Sequence, residues 1–162
     1  MNGGEPAASA DEGTVGPAVV LAALDESARA PAVFAGALRV ARAFRARLIL
    51  LRVLTYPPEI AAAGHTVPDH LELKLEQDAR DELRALMGGA PDVEFGPPVI
   101  VAGDPWRRIL DVADQLDVDL IVIGRHRRHG IERLLGTTAS KLLNHARRDV
   151  LVIHDPSYGP DL

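Results

Sequence analysis

The chain has 162 residues, of which 47% are hydrophobic and 25% charged, with a formal net charge of -5 and no cysteine. That length supports one domain with a sizeable core and is too short for two comfortable ones. The acidic balance argues against a general affinity for nucleic acid, whose binders carry a net basic face, and the lack of thiols excludes disulfides, thiolate metal sites and cysteine nucleophiles.

The opening stretch MNGGEPAASADEGTVGP, residues 1–17, has neither a basic n-region nor an apolar h-region, so no secretory signal is expected. Its Gly, Ala, Pro and acidic content reads as a disordered tail. The folded domain is expected over residues 18–154, followed by a flexible tail at 155–162. No apolar run reaches the ~20 residues that cross a bilayer, so a cytoplasmic location without a membrane partner is expected.

AVVLAAL (Ala18 to Leu24) is a continuous apolar run, as in a strand covered on both faces. Val33, Ala37, Val40, Ala41 and Phe44 then share one helical stripe. RLILLRVL (Arg47 to Leu54) is a second buried strand. The segment TYPPEIAAAGHTVP is broken by Pro57, Pro58, Gly64 and Pro68 and reads as a loop. Asp69 opens a long helix, with Glu72 placed as in a capping box. Leu71, Leu75, Ala79, Leu83 and Leu86 form its stripe, and Gly88-Gly89 end it.

VEFGPPVIVAG is expected to be a third strand, at a sheet edge where the Gly-Pro-Pro interruption is tolerated. Asp104-Pro105 pairs an N-cap residue with proline at the first helical position. Trp106, Ile109, Leu110, Ala113 and Leu116 should face the core. DLIVI (Asp119 to Ile123) is the fourth strand. Thr137 or Thr138 can cap a last helix with the stripe Ala139, Leu142, Leu143 and Ala146, and DVLVI (Asp149 to Ile153) is the fifth strand. Five strands alternating with four helices, without an internal repeat, predict an α/β fold: an open parallel sheet, doubly wound, with helices on both faces.

Ligands of open parallel sheets sit at the carboxyl ends of the strands, where the strand order reverses. Asp25, Val53 and Gly124 fall at such ends. GRHRRHGIERLLGTTA, from Gly124, joins the fourth strand to the last helix with three glycines, four arginines and a Thr-Thr pair at a helix start. Helix N-termini offer unpaired N–H groups and a partial positive charge, so this segment could hold a triphosphate; it reads equally as a solvated basic loop. Asp25 and Ser27 are also ordinary cap residues. His65 and His70 flank the long loop without an evident third metal ligand. No P-loop and no G-x-G-x-x-G after the first strand are present, and no set of base, nucleophile and orienting group appears, so no enzymatic activity is expected.

Asp25 after the first strand, GDPWRRI (Gly103 to Ile109), DLIVIG (Asp119 to Gly124) and LLGTTASKLLNHARRDVLVI at the end resemble the universal stress protein family. The resemblance spans nearly all of the domain and implies the strand order 3-2-1-4-5. It implies a stress-response regulatory protein that binds a nucleotide without strong turnover: ATP, with or without Mg, ahead of cyclic AMP. Ala23 and Asp25 would line the adenosine end, with Val53 and Ile123 near the base. Gly124, Gly136, Thr137 and Thr138 would cradle the phosphates, with His126 and Arg127 in the loop between. The last strand, Val150 to Ile153, would pair with its copy in a homodimer, and a regulatory protein partner is expected. The family's ATP pattern is Gly, two residues, Gly, nine residues, then Gly and Ser or Thr. Here Arg127 holds the second glycine position, and eight residues separate it from Gly136. The alternative implied is a dimeric interaction protein whose vestigial pocket does not bind ATP.

Overall fold

The computed structural model describes residues 16–56, 68–125 and 137–154. The two terminal tails and the arginine-rich segment beyond Arg125 lie outside the described residues. In chain order the elements are β1 (Val19–Ala23), α1 (Ala30–Phe44), β2 (Arg47–Leu54), α2 (Asp69–Gly88), β3 (Val99–Ala102), α3 (Pro105–Gln115), β4 (Leu120–Gly124), α4 (Thr137–His145) and β5 (Asp149–Ile153). All strands are parallel, as the residue pattern predicts, and their order β3-β2-β1-β4-β5 is the one the family resemblance implies. β2 and β5 fall where the apolar runs placed them, and β3 is an edge strand whose Gly-Pro-Pro lies just outside its ladder.

Strand parity builds two cores. Val20, Ala22, Leu48, Leu50 and Val122 point to the face covered by α1 and α2, where Val33, Ala37, Ala41 and Leu83 meet them. Leu21, Ile49, Leu51, Ile121 and Ile123 point to the other face, against Ile109, Val112 and Ala113 of α3 and Ala139 and Leu142 of α4. Alternate side chains of a strand stand on opposite faces, so a continuous apolar run is what a sheet covered twice requires.

Several stripe positions differ from expectation. In α2, Ala79 and Leu83 are buried and Leu86 is half-buried, but Leu71 and Leu75 are exposed. No side chain of α2 before Ala79 is buried, so the first half of the helix contributes nothing to the core. The capping box is absent: Pro68 is the N-cap, no side chain caps the helix, and the Glu72 carboxylate instead accepts a hydrogen bond from the Tyr56 hydroxyl at 3.2 Å. Leu116 follows the last turn of α3 and is exposed, leaving Val112 and Val118 to fill that core. In the short α4, Leu143 is rotated out to solvent beside buried Leu142. Phe44, at the end of α1, is also partly exposed.

Chain reversals follow local chemistry. α1 carries proline in its first turn and ends at Arg45 with φ 53, a left-handed conformation costing an L-residue about 1 kcal/mol. The Arg45 amide is met by the Arg42 carbonyl and the Ala46 amide by the Ala41 carbonyl. Gly103 has φ 138, open mainly to glycine, and turns β3 into α3. Asp104 is the N-cap of α3 with Pro105 behind it, as predicted, although its carboxylate makes no capping bond.

Arg42 of α1 is joined to Asp92 by two hydrogen bonds, Nε to Oδ2 at 2.7 Å and Nη2 to Oδ1 at 2.9 Å. The guanidinium holds the Asp92 carboxyl below its ordinary value. A carboxylate whose pKa is depressed on folding stabilises the fold above its unfolded value, near 3.9, and loses that contribution as pH falls through the folded value. Asp92→Asn should therefore lower the urea midpoint slightly at neutral pH, with wild type and variant converging as pH falls through the depressed folded-state value of Asp92. Curves that differ equally at both ends of that pH series would contradict this role.

Candidate functional site

The strand pairings locate a cleft. β1 pairs with β4 over Val20–Ala22 and Leu120–Val122 only. β1 stays with β2 as far as Ala23 opposite Leu51, and β4 stays with β5 as far as Gly124 opposite Ile153. Beyond Ala22 and Val122 the central strands thus part company, each following its own half of the sheet. Here the winding reverses, the position where open parallel sheets bind ligands.

A cavity of 520 Å³ opens over this point, within the range of about 300–1,000 Å³ common for small-molecule sites. Ala23, Asp25, Val53, Ile123, Gly124 and Thr138 all line it, so six positions singled out from the sequence meet in one place. Thr137 is the first residue of α4. His126, Arg127 and Gly136 lie outside the described residues, as do Gly130, Arg133 and His65 of the sequence reading.

Each wall has its own chemistry. Val53 and Ile123 supply apolar surface from the strand ends, continued by Ile109 and Pro105 of α3 and Leu75 of α2. The start of α4, with Thr138 and Ala139, presents helix N–H groups and a hydroxyl and favours negative charge. Gly124 is the last residue of β4, and a Cβ there would stand 2.7 Å from Cγ2 of Val33. The glycine is therefore required by the close approach of α1.

The opposite end is acidic and hydrogen-bonded. Asp25 Oδ1 accepts the Ser27 amide at 3.0 Å and the Ser27 hydroxyl at 2.6 Å, and Ser27 Oγ accepts the Arg29 amide at 3.3 Å. Asp25 thus fixes the turn that follows β1, whereas the N-cap position of α1 is Arg29, which makes no side-chain capping hydrogen bond to the helix. The Ser27 hydroxyl thus links Asp25 to the Arg29 amide within this turn.

Arg52 and Tyr56 are among the lining residues that the sequence did not single out. Arg52, in the middle of an apolar strand, is only 5% exposed. Its Nε donates to the Leu24 carbonyl at 2.7 Å, and Nη1 lies 3.2 Å from Glu82 and 3.6 Å from Glu26. Its signal was the lone charge inside RLILLRVL. Tyr56, just past β2, faces the cavity and hydrogen-bonds Glu72. Partial burial, followed by the negative charge of Glu72, pushes the Tyr56 phenol above its ordinary value.

Behind the α3–α4 wall, the single tryptophan, Trp106, packs 5.2 Å from the His145 ring, with the Arg107 guanidinium and Lys141 ammonium at 5.2 and 5.3 Å. Among the described residues no group of three or more His, Asp or Glu is arranged to hold a metal ion, and no helix is long and apolar enough to cross a membrane.

Comparison with known proteins agrees with the geometry. A model of the Universal stress protein family matches residues 18–154. Universal stress protein A homolog 1 of Coxiella burnetii is 31% identical over 136 residues, covering 83% of this chain and 94% of the relative. The structure of universal stress protein UspA from Lactobacillus plantarum superposes with a TM-score of 0.67 at 26% identity, over 84% of this chain and 97% of that one. A universal stress protein solved in complex with cAMP matches with a TM-score of 0.60 at 23% identity, over 86% and 98% of the two chains; that likeness is one of fold.

The Tyr56 environment can be checked directly. Subtracting the ultraviolet titration of Tyr56→Phe from that of wild type should isolate a phenol ionising above the usual value near 10. Glu72→Gln should bring it part of the way down, because burial remains. An ordinary titration in wild type would refute the contact.

Proposed function

Since the chain belongs to the universal stress protein family, we propose that it is a stress-response regulatory protein that binds a nucleotide, with ATP as the favoured ligand, in the cleft between β1 and β4. The observation that carries this reading is the convergence of Asp25, Val53, Ile123, Gly124 and Thr138 on one cavity at the point where the strand order reverses. The adenine ring would lie on Val53 and Ile123, with Asp25 accepting hydrogen bonds from the adenosine end. Gly124, Thr138 and the first amides of α4 would receive the phosphates, together with Gly136 and Thr137. Bound ATP would supply two unlike ends of one ligand, a neutral polar nucleoside with hydrogen-bond donors and a polyanionic triphosphate, which suit the acidic and the helix-terminal ends of the cavity respectively.

The protein's part is to bind and orient. The apolar strand ends exclude water from the base, and the start of α4 compensates negative charge. Mg would arrive on the phosphates, as Mg commonly does, keeping several of its waters. Arg127, in place of the family's second glycine, is positioned in the sequence to meet a phosphate with its guanidinium. Cyclic AMP, the ligand named for one relative of the same fold, is the second nucleotide to test. The action proposed is ligand-dependent regulation in the cytoplasm, through a protein partner and without turnover.

Isothermal titration of the purified protein with ATP should show saturable binding, weakened about tenfold or more by Asp25→Ala, a loss comparable to that of one charge-assisted hydrogen bond. Gly136→Val should also weaken it while leaving the fold intact. Absence of binding by the wild type would replace this reading with that of an interaction protein.

We further propose that β5 pairs with its copy in a homodimer. β5 is an edge strand whose Val150, Leu151, Val152 and Ile153 are only half-buried, and edge strands present unpaired backbone groups to a partner. Light scattering should give the dimer mass for wild type and the monomer mass for Val152→Lys. A dimer that persists in a folded variant would place the interface elsewhere.

A further inference from the structure

Among the described residues, Arg52 is the one charged side chain in the buried class. A guanidinium taken out of water is destabilising unless its donors are met, and a strand buried on both faces would be more stable with an aliphatic residue in that place. Its three partners share a pattern. The Leu24 carbonyl and the Glu26 carboxylate belong to the residues on either side of Asp25, and the Glu82 carboxylate belongs to α2.

The Leu24 carbonyl lies just past the end of the β1–β2 ladder, which closes at Ala23 opposite Leu51. Its hydrogen bond at 2.7 Å therefore comes from the Arg52 side chain, through Nε. Asp25 in turn is locked to Ser27 through both the amide and the hydroxyl. Arg52 and Ser27 together fix the segment from two directions. The planar guanidinium suits this arrangement because Nε and Nη1 point different ways from one rigid group, which the point charge of a lysine cannot reproduce.

We propose that Arg52 is a positioning residue for ligand recognition: its guanidinium holds Leu24 to Glu26, and with them the Asp25 carboxylate, in the orientation that receives a ligand's hydrogen-bond donors, and it ties that segment to α2 through Glu82. This inference rests on the nucleotide reading above for its ligand. It gives a buried charge a role in recognition, and it makes α2 a contributor to affinity although no polar α2 side chain lines the cavity.

The test combines binding and hydrogen exchange on the full chain. With ATP as the probe, Arg52→Met should weaken binding about tenfold, in the range seen for coupled neighbours, and Arg52→Lys should recover little of that loss. In an Asp25→Asn background the same Arg52→Met change should have almost no further effect, because its action passes through Asp25. A residue that only stabilised the fold would lower the melting temperature and leave affinity unchanged in the folded protein, or lower affinity equally in both backgrounds; either result overturns the proposal.

Should Arg52→Met fail to fold, Glu82→Gln keeps the bond to Leu24 and should give a smaller loss with the same dependence on Asp25. If wild type binds no ATP, the nucleotide reading falls and hydrogen exchange decides the role of Arg52. The Ser27 amide should then exchange about tenfold faster in Arg52→Met or, by a smaller factor, in Glu82→Gln, while the Leu21 amide in the core is unchanged. Unchanged exchange at Ser27 would sink the inference.

Discussion

The parting of β1 and β4 is the constraint on which the rest of the molecule depends. Both strands begin as neighbours and are hydrogen-bonded through Ala22 and Val122. Each then continues alongside a different partner, β1 beside β2 and β4 beside β5. The crossovers before the switch carry α1 and α2 over one face, and those after it carry α3 and α4 over the other. A cavity with apolar strand ends as its floor, an acidic turn at one side and a helix start at the other follows from this one topological event.

Much of this was legible in the sequence because the information is local. The apolar runs of β2 and β5 have the length and composition of strands buried twice, and their limits could be read from the chain. Ala23, Val53 and Ile123 are strand-end residues, so naming the strands nearly names the cavity floor. What could not be read depends on distant pairing. Leu71 and Leu75 keep the helical period of α2 but do not reach the core, and periodicity alone does not tell where a long helix is supported. Glu72 sits at the capping-box spacing, yet its carboxylate is engaged by Tyr56, 16 residues earlier in the chain. Arg52 drew no reading from the sequence because its partners are 28 and 30 residues away.

Gly124 illustrates how a structural and a functional reading can both hold. A glycine at the end of β4 suits close approach of a phosphate, which is how the sequence presents it. The structure adds that Val33 of α1 approaches from the opposite face, where a Cβ would stand 2.7 Å from its methyl group. Loss of this glycine would therefore disturb the packing of α1 and the shape of the cavity together. Asp25 is similar: the carboxylate that lines the cavity also organises the turn through Ser27.

The two hydrophobic clusters share no side chain, since strand parity assigns each residue to one face or the other. The sheet acts as a septum between two half-shells, and strain on one side reaches the other chiefly through strand backbones. The cavity is bordered by both, by Leu24 from one cluster and by Ile109, Ile123 and Ala139 from the other. A molecule seated there behaves mechanically as a keystone. By touching both half-shells it would bridge two sets of side chains that the sheet otherwise keeps on separate faces.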